Sequence, residues 1–184
     1  EEVKWVDLVR GESSIHMSSL SDPVLLRADG RVIYTLASVV DDIDHGITTI
    51  LRGEDHVTNS AAQIQLFEAL GAKSPDLGHM ALLAGAEGEG LSKRLGSLSI
   101  GQLREEGFEP LAIAALLARI GTSDPIEAFS TFDEIIEQFS IKKFSRSTAK
   151  FDPSELSLIN AKTLQLLTFN ELSDRFRLEG VPKI

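Results

Sequence analysis

The chain has 184 residues, 42% of them hydrophobic and 25% charged. That composition excludes disordered, collagen-like and coiled-coil architectures and leaves room for one domain and part of a second. A formal net charge of −10 opposes broad adhesion to phosphate backbones or anionic membranes, so any nucleic-acid contact must be local. With no cysteine, a disulfide framework, a thiolate nucleophile and a cysteine-based zinc site are excluded, and a reducing cytoplasm is the expected compartment.

The opening Glu1-Glu2-Val3-Lys4 shows neither a strand-like pattern nor a signal-peptide pattern. No apolar run approaches the roughly 18 residues of a membrane span. The chain is expected to be an internal fragment of a longer protein. A β-hairpin is predicted from Val24–Ala28 and Arg31–Tyr34, which flank Asp29-Gly30, a pair suited to a turn with φ > 0 at both positions. Leu36–Val40 continues the apolar character up to Asp41-Asp42. Ile47–Leu51 reads as a buried strand ending in Arg52-Gly53-Glu54-Asp55-His56, and the carboxyl end of a strand is where α/β sheets place ligands. After Asn59 or Ser60 as a cap, Ala61, Ile64, Phe67 and Leu70 recur at helical spacing, and Gly71 stops the helix. His79–Leu83 reads as the next parallel strand, followed by the Gly-rich loop Gly85–Gly90 and by Leu91-Ser92-Lys93-Arg94.

Beyond a boundary near Ser97 the pattern is helical alone. Ser99 with Gln102 forms a capping box, Pro110 opens Leu111–Ile120, and Phe132–Phe139 makes a shorter helix. Asp152-Pro153-Ser154-Glu155 then starts a helix over Leu156–Leu167.

Lys93 and Arg94, in a glycine-flanked loop, are suited either to close over a polyphosphate and follow charge as it develops, or to form a solvated turn. Arg52 can fork onto a substrate carboxylate or pair with Asp41, Asp42, Glu54 or Asp55. Those four acids in turn can hold magnesium, a ribose or an ammonium group, or cap helices and neutralise the arginine. Tyr34, the only tyrosine, presents its hydroxyl to a ligand or fills the core. His56 and His79 are phosphate-contact candidates without the spaced partners of a metal site, and His16 and His45 read as surface residues. Lys142, Lys143, Arg146 and Lys150 form either a phosphate patch or a solvated face.

The ordered set Tyr34 to Asp42, Gly46-Ile47-Thr48, Leu51 to Asn59, Leu66 to Gly71, His79-Met80 and Leu91 to Arg94 resembles the bacterial glutamyl-tRNA synthetase family over nearly the whole chain. The resemblance implies a class I aminoacyl-tRNA synthetase, which activates glutamate with ATP to glutamyl-adenylate and transfers it to the tRNA 3′ end. The implied fold is α/β. Residues 1–20 would be the trailing edge of an inserted acceptor-binding region, and residues 21–97 the C-terminal half of a Rossmann-like parallel-sheet catalytic domain. Residues 98–184 would be an all-helical stem-contact-type domain, truncated at its end.

By the same resemblance Leu91-Ser92-Lys93-Arg94 is similar to the second signature loop, Lys-Met-Ser-Lys-Ser, with Gly90 in place of the first lysine. Ser92, Lys93 and Arg94 are then the catalytic candidates, Lys93 neutralising the ATP phosphates as pyrophosphate leaves. Tyr34, Ser38 (where the family commonly has asparagine) and Arg52 match glutamate-binding positions, and Asp55 matches an ATP-side position. Lys142, Lys143, Arg146 and Lys150 become tRNA-contact candidates. The implied partners are tRNA(Glu), glutamate and ATP with Mg²⁺, with no zinc in this segment, no membrane, and a monomeric state. The first family signature, His-x-Gly-His, does not occur in these residues, so the fragment alone is expected to be inactive. A ligase serving tRNA(Gln), a tRNA base-modifying relative, and a non-catalytic tRNA- or partner-binding module on a synthetase scaffold are the alternative readings.

Overall fold

The computed structural model describes residues 1–85, 88 and 99–178. The chain divides into two compact units, residues 1–82 with 141–148, and residues 83–140 with 149–184.

In the first unit, strand β1 (Glu2–Asp7) pairs antiparallel with β2 (Gly11–His16), with Val3 opposite Ile15 and Asp7 opposite Gly11. The opening of the chain is therefore a strand, contrary to the sequence reading. Its inward row is Val3, Trp5 and Asp7, and the charged last member hides the alternation that marks a half-buried strand.

The hairpin predicted around Asp29-Gly30 is reduced to one bridge, Leu26 with Val32. Only Gly30 takes a positive φ, +83°, while the Asp29 side chain accepts a hydrogen bond from the Arg31 N–H. Tyr34 does not end a strand but begins helix α1 (Tyr34–Asp44). Leu36, Val39 and Ile43 line up at helical spacing there, and Val39 is fully buried.

Strand β3 (Thr49–Gly53), a 3-10 turn (Glu54–His56), helix α2 (Val57–Ala69) and strand β4 (Asp76–Met80) form the expected crossover, with β3 and β4 parallel. The register sets Arg52 opposite His79. β3 runs two residues past the predicted strand end, so Arg52 lies within the strand. Ala61, Ile64 and Phe67 bury the inner face of α2, and Val3, Ile64, Ala61 and Leu77 form one apolar cluster roofed by Trp5, Ile15 and Ile50. At Gly78 an added Cβ would sit 2.6 Å from the Leu51 side chain and 3.3 Å from Leu8. The glycine lets β4 lie against both.

The second unit joins the short parallel strands β5 (Leu83–Ala84) and β6 (Ala149–Lys150) to helices α3 (Ile100–Glu105), α4 (Pro110–Arg119), α5 (Phe132–Gln138), α6 (Pro153–Leu166) and α7 (Phe169–Leu178). β6 interrupts the purely helical pattern expected here, and it is short enough to leave no periodic signal. The caps follow the sequence. Ser99 accepts from the Gln102 N–H, Asp152 accepts from Ser154, and Pro110 and Pro153 open their helices. Asn160 of α6 accepts from the Glu109 N–H at 2.7 Å, tying α6 to the start of α4.

Leu103, Leu116, Phe129, Ile135, Phe151, Leu156 and Ile159 make the core of this unit. Arg119 is buried beside it, bonded to Asp124 and Gln138, with its guanidinium over the Phe129 ring at 5.3 Å.

Leu156 of α6 is only 1% exposed in the core of this unit, where α6 packs on α4. Leu156→Ala is expected to lower stability by about 2–5 kcal/mol, the cost of lost burial plus a residual cavity. Urea unfolding monitored by circular dichroism checks this; a change below about 1 kcal/mol would show that the core does not rest on this residue.

Candidate functional site

The site is built outward from a buried carboxylate. Asp7 ends β1, is 2% exposed, and spends its two oxygens on donors from three segments. Oδ1 accepts the backbone N–H groups of Val9 and Arg10, which fold the connection to β2, and the N–H of His79 on β4. Oδ2 lies 2.5 Å from His79 Nδ1 and 3.4 Å from Trp5 Nε1. Burial pushes the Asp7 carboxyl up, but the His79 ring and these backbone donors outweigh it and hold the group at about 2.

His79 is fully buried and faces Arg52 with its other nitrogen. Arg52 Nε donates to His79 Nε2 at 3.2 Å, and Arg52 Nη2 donates to Ser60 Oγ at 2.9 Å and to Gln63 Oε1 at 2.7 Å. Ser60 and Gln63 stand one helical turn apart on α2. Ser60 Oγ also lies 2.9 Å from His79 Nε2 and 3.2 Å from the His56 carbonyl. Gln63 continues the chain, donating from Nε2 to Ser38 Oγ of α1 at 2.9 Å. Arg52, Ser38 and the two α2 residues thus form one network.

The electrostatics around Arg52 are unusual for a half-buried arginine. Among the described residues it has no ion pair within 4.0 Å. Of the four acids expected to neutralise it, Glu54 is taken by Arg10 at 2.8 Å, Asp55 points to His56 at 3.9 Å with its side chain more than half exposed, and Asp41 is exposed. Asp42 is pushed up by its own burial, drawn down by the charge of Arg52 and raised again by Asp41. A guanidinium held by neutral acceptors keeps its charge for an anion that arrives from elsewhere.

Tyr34 and Ser38 stand at i and i+4 on α1, on the same face. Tyr34 is 56% exposed, so it does not fill the core, and its ring lies 5.8 Å from that of His56, tilted by 58°. Asp55 follows β3 in the 3-10 turn; a Cβ on Gly53 would fall 2.5 Å from its Oδ1, so the carboxylate folds over the glycine. His79, a phosphate-contact candidate in the sequence, is instead sealed and fully engaged. Ser92, Lys93 and Arg94 lie outside the described residues. Lys142, Lys143 and Arg146 are exposed in the first unit, where a Cβ added at Gly11 would stand 3.4 Å from Arg146 Nη2, and Lys150 is exposed in β6 of the second. Among the described residues no group of three or more His, Asp or Glu is placed to hold a metal ion, and no helix is long and apolar enough to cross a membrane.

Residues 1–158 match the family model described as tRNA synthetases class I (E and Q), catalytic domain. The chain belongs to this family. Among its relatives, glutamate–tRNA ligase 1 of Maricaulis maris is 56% identical over 182 residues, and glutamate–tRNA ligase of Azospirillum brasilense is 56% identical over 172. These alignments cover 98% and 93% of the chain but 41% and 39% of the relatives, so the chain spans about two fifths of their length. A crystal structure of a glutamate tRNA ligase from Elizabethkingia meningosepticum in complex with its amino acid superposes with a TM-score of 0.82 at 28% identity, over 100% of this chain and 41% of that one. The α/β class with a parallel sheet, expected from the sequence, is therefore that of the class I synthetase catalytic domain.

Because the Asp7 carboxyl sits at about 2 when folded, below its ordinary value, its stabilising contribution is fully present above about pH 4 and is lost as pH falls toward 2, amounting to about 2 kcal/mol. Urea unfolding of the chain from pH 6 to pH 2 should show this loss, and Asp7→Asn should be less stable at pH 6 with a flatter acid limb. Equal acid limbs in both proteins would contradict the assignment.

Proposed function

We propose that this chain is part of a glutamate–tRNA ligase, which joins glutamate and ATP as glutamyl-adenylate and passes the glutamyl group to the 3′ end of tRNA(Glu) in the cytoplasm. One observation carries the reading: in a member of this family, Arg52 sits half-buried at the carboxyl end of β3 with three neutral partners and no carboxylate. An unspent guanidinium at a strand end is suited to one carboxylate of glutamate. Gln63 couples it to Ser38, and Tyr34 completes the row on α1.

On this reading the glutamate α-carboxylate attacks the α-phosphate of ATP, the bond to pyrophosphate breaks, and no covalent enzyme intermediate forms. The protein contributes position and charge. Tyr34, Ser38 and Arg52 hold the amino acid, Asp55 lies on the nucleotide side, and Ser92, Lys93 and Arg94 meet the phosphates, Lys93 following the charge that develops on pyrophosphate. Magnesium enters as part of the MgATP substrate. Residues 21–97 belong to the catalytic domain after the trailing edge of an inserted region at 1–20, while residues 98–184 act as a stem-contact domain. Lys142, Lys143, Arg146 and Lys150 supply local cations for tRNA on an otherwise acidic chain. The 184 residues lack His-x-Gly-His and do not complete activation by themselves.

Glutamate-dependent ATP–pyrophosphate exchange tests this. In the full-length protein Arg52→Ala should raise the glutamate KM by about 10- to 100-fold, the loss of a charged hydrogen-bonding contact, with the ATP KM little changed. The 184-residue chain alone should give no exchange. An unchanged glutamate KM in Arg52→Ala would overturn the assignment of the site, and exchange by the chain alone would overturn its dependence on further groups.

A further inference from the structure

We propose that His79 and Asp7 are positioning residues that aim Arg52 at its ligand, an inference that rests on the reading of Arg52 as the glutamate carboxylate contact. His79 is fully buried and cannot itself touch a substrate. Its orientation follows from the donors around it. Arg52 Nε carries a hydrogen directed at His79 Nε2, 3.2 Å away, and two N–H groups cannot face each other, so Nε2 offers its lone pair. The ring proton is then on Nδ1, donated to Asp7 Oδ2 at 2.5 Å. Asp7 is anchored in turn by three backbone N–H groups, which leaves the imidazole no freedom to turn.

The consequence for Arg52 is geometric and electrostatic. A guanidinium is planar, and fixing Nε on His79 and Nη2 on Ser60 and Gln63 fixes that plane along one edge. Nη1 has no protein partner among the described residues and is the nitrogen left for a ligand. Had β4 supplied a carboxylate at position 79, it would have oriented the arginine equally well but cancelled its charge. The imidazole orients without neutralising, and the countercharge of Asp7 is kept one ring away. An arrangement of this kind, in which an outer group orients the group that meets the ligand, is a general way of presetting a binding residue.

The test uses isosteric substitutions in the full-length protein, with separate KM values for glutamate and ATP measured by pyrophosphate exchange. His79→Asn keeps a donor toward Asp7 but removes the acceptor for Arg52, whereas His79→Gln returns an amide oxygen near the Nε2 position. His79→Asn is expected to raise the glutamate KM about tenfold while the ATP KM moves less than about twofold, and His79→Gln to recover most of that loss. In an Arg52→Ala background His79→Asn should add nothing, because its whole effect passes through the arginine. Ser60→Ala, a small change that removes one anchor of Nη2, should raise the glutamate KM severalfold by the same route and serves if His79→Asn does not fold. A normal glutamate KM in His79→Asn beside a raised one in Arg52→Ala would overturn the positioning role while leaving the glutamate site standing. Equal rises in both KM values, or full additivity with Arg52→Ala, would also overturn it. A normal KM in Arg52→Ala would remove the reading beneath it.

Discussion

A carboxylate taken out of water must be met by donors, and Asp7 meets that demand with three backbone N–H groups and the His79 ring. Each donor comes from a segment that must be in place for the charge to be tolerated. The turn after β1 supplies Val9 and Arg10, and β4 supplies both the backbone and the side chain of His79. Leu8 adds a backbone bond to Leu77 at 2.8 Å. The hairpin β1–β2 is thereby pinned to the parallel pair β3–β4, and His79 is pinned in the orientation that Arg52 requires. The apolar cluster of Val3, Ala61, Ile64 and Leu77 gives the non-directional part of this contact; Asp7 gives it direction.

The second consequence lies in where negative charge is not. Acidic residues stand on and next to the elements around Arg52, yet among the described residues the guanidinium keeps neutral company. Glu54 is diverted to Arg10, Asp55 folds over Gly53 toward His56, Asp41 faces solvent, and Asp42 feels Arg52 only at a distance. Asp7 is nearest in the network and is separated from Arg52 by an imidazole. Orientation and neutralisation, which a salt bridge would deliver together, are here divided between different residues. Lys93 follows β4 closely in sequence, so the residues proposed for amino-acid and phosphate contact are neighbours along the chain.

Much of the scaffold was legible because its signals are local. The apolar run of β3, the helical spacing of α2 and the caps Ser99, Pro110 and Asp152 each announce an element without reference to partners. Strands β1 and β2 and helix α1 were missed for identifiable reasons. In β1 the inward row ends in Asp7, and in β2 the inward row has Gly11 and Ser13 before its single apolar member, Ile15, so neither strand alternates visibly. At α1 the strand read over Arg31–Tyr34 and the unassigned apolar run Leu36–Val40 hid a helix, whose burial of Val39 follows helical spacing.

The site divides in the same way. Arg52, Tyr34, Ser38 and Asp55 were candidates from the ordered motifs, and the structure joins Arg52 to Ser38 through Gln63, whereas Asp7, Ser60 and Gln63 were not among the candidates. Their signal existed: Ser60 and Gln63 are polar residues on the buried face of α2, among Ala61, Ile64 and Phe67, where a polar side chain needs a partner. What no local pattern could supply was the identity of that partner, since Asp7 meets His79 across 72 residues of sequence.

The most direct measurement of the central claim is the protonation pattern of the His79 ring, read by long-range proton–nitrogen NMR of the chain at neutral pH and assigned with His79→Gln. A proton on Nδ1 with Nε2 resonating as a bare acceptor is the expected result. A proton found on Nε2 would contradict the account, because Arg52 Nε would then have no acceptor and only the Nη2 bonds to Ser60 and Gln63 would hold the guanidinium.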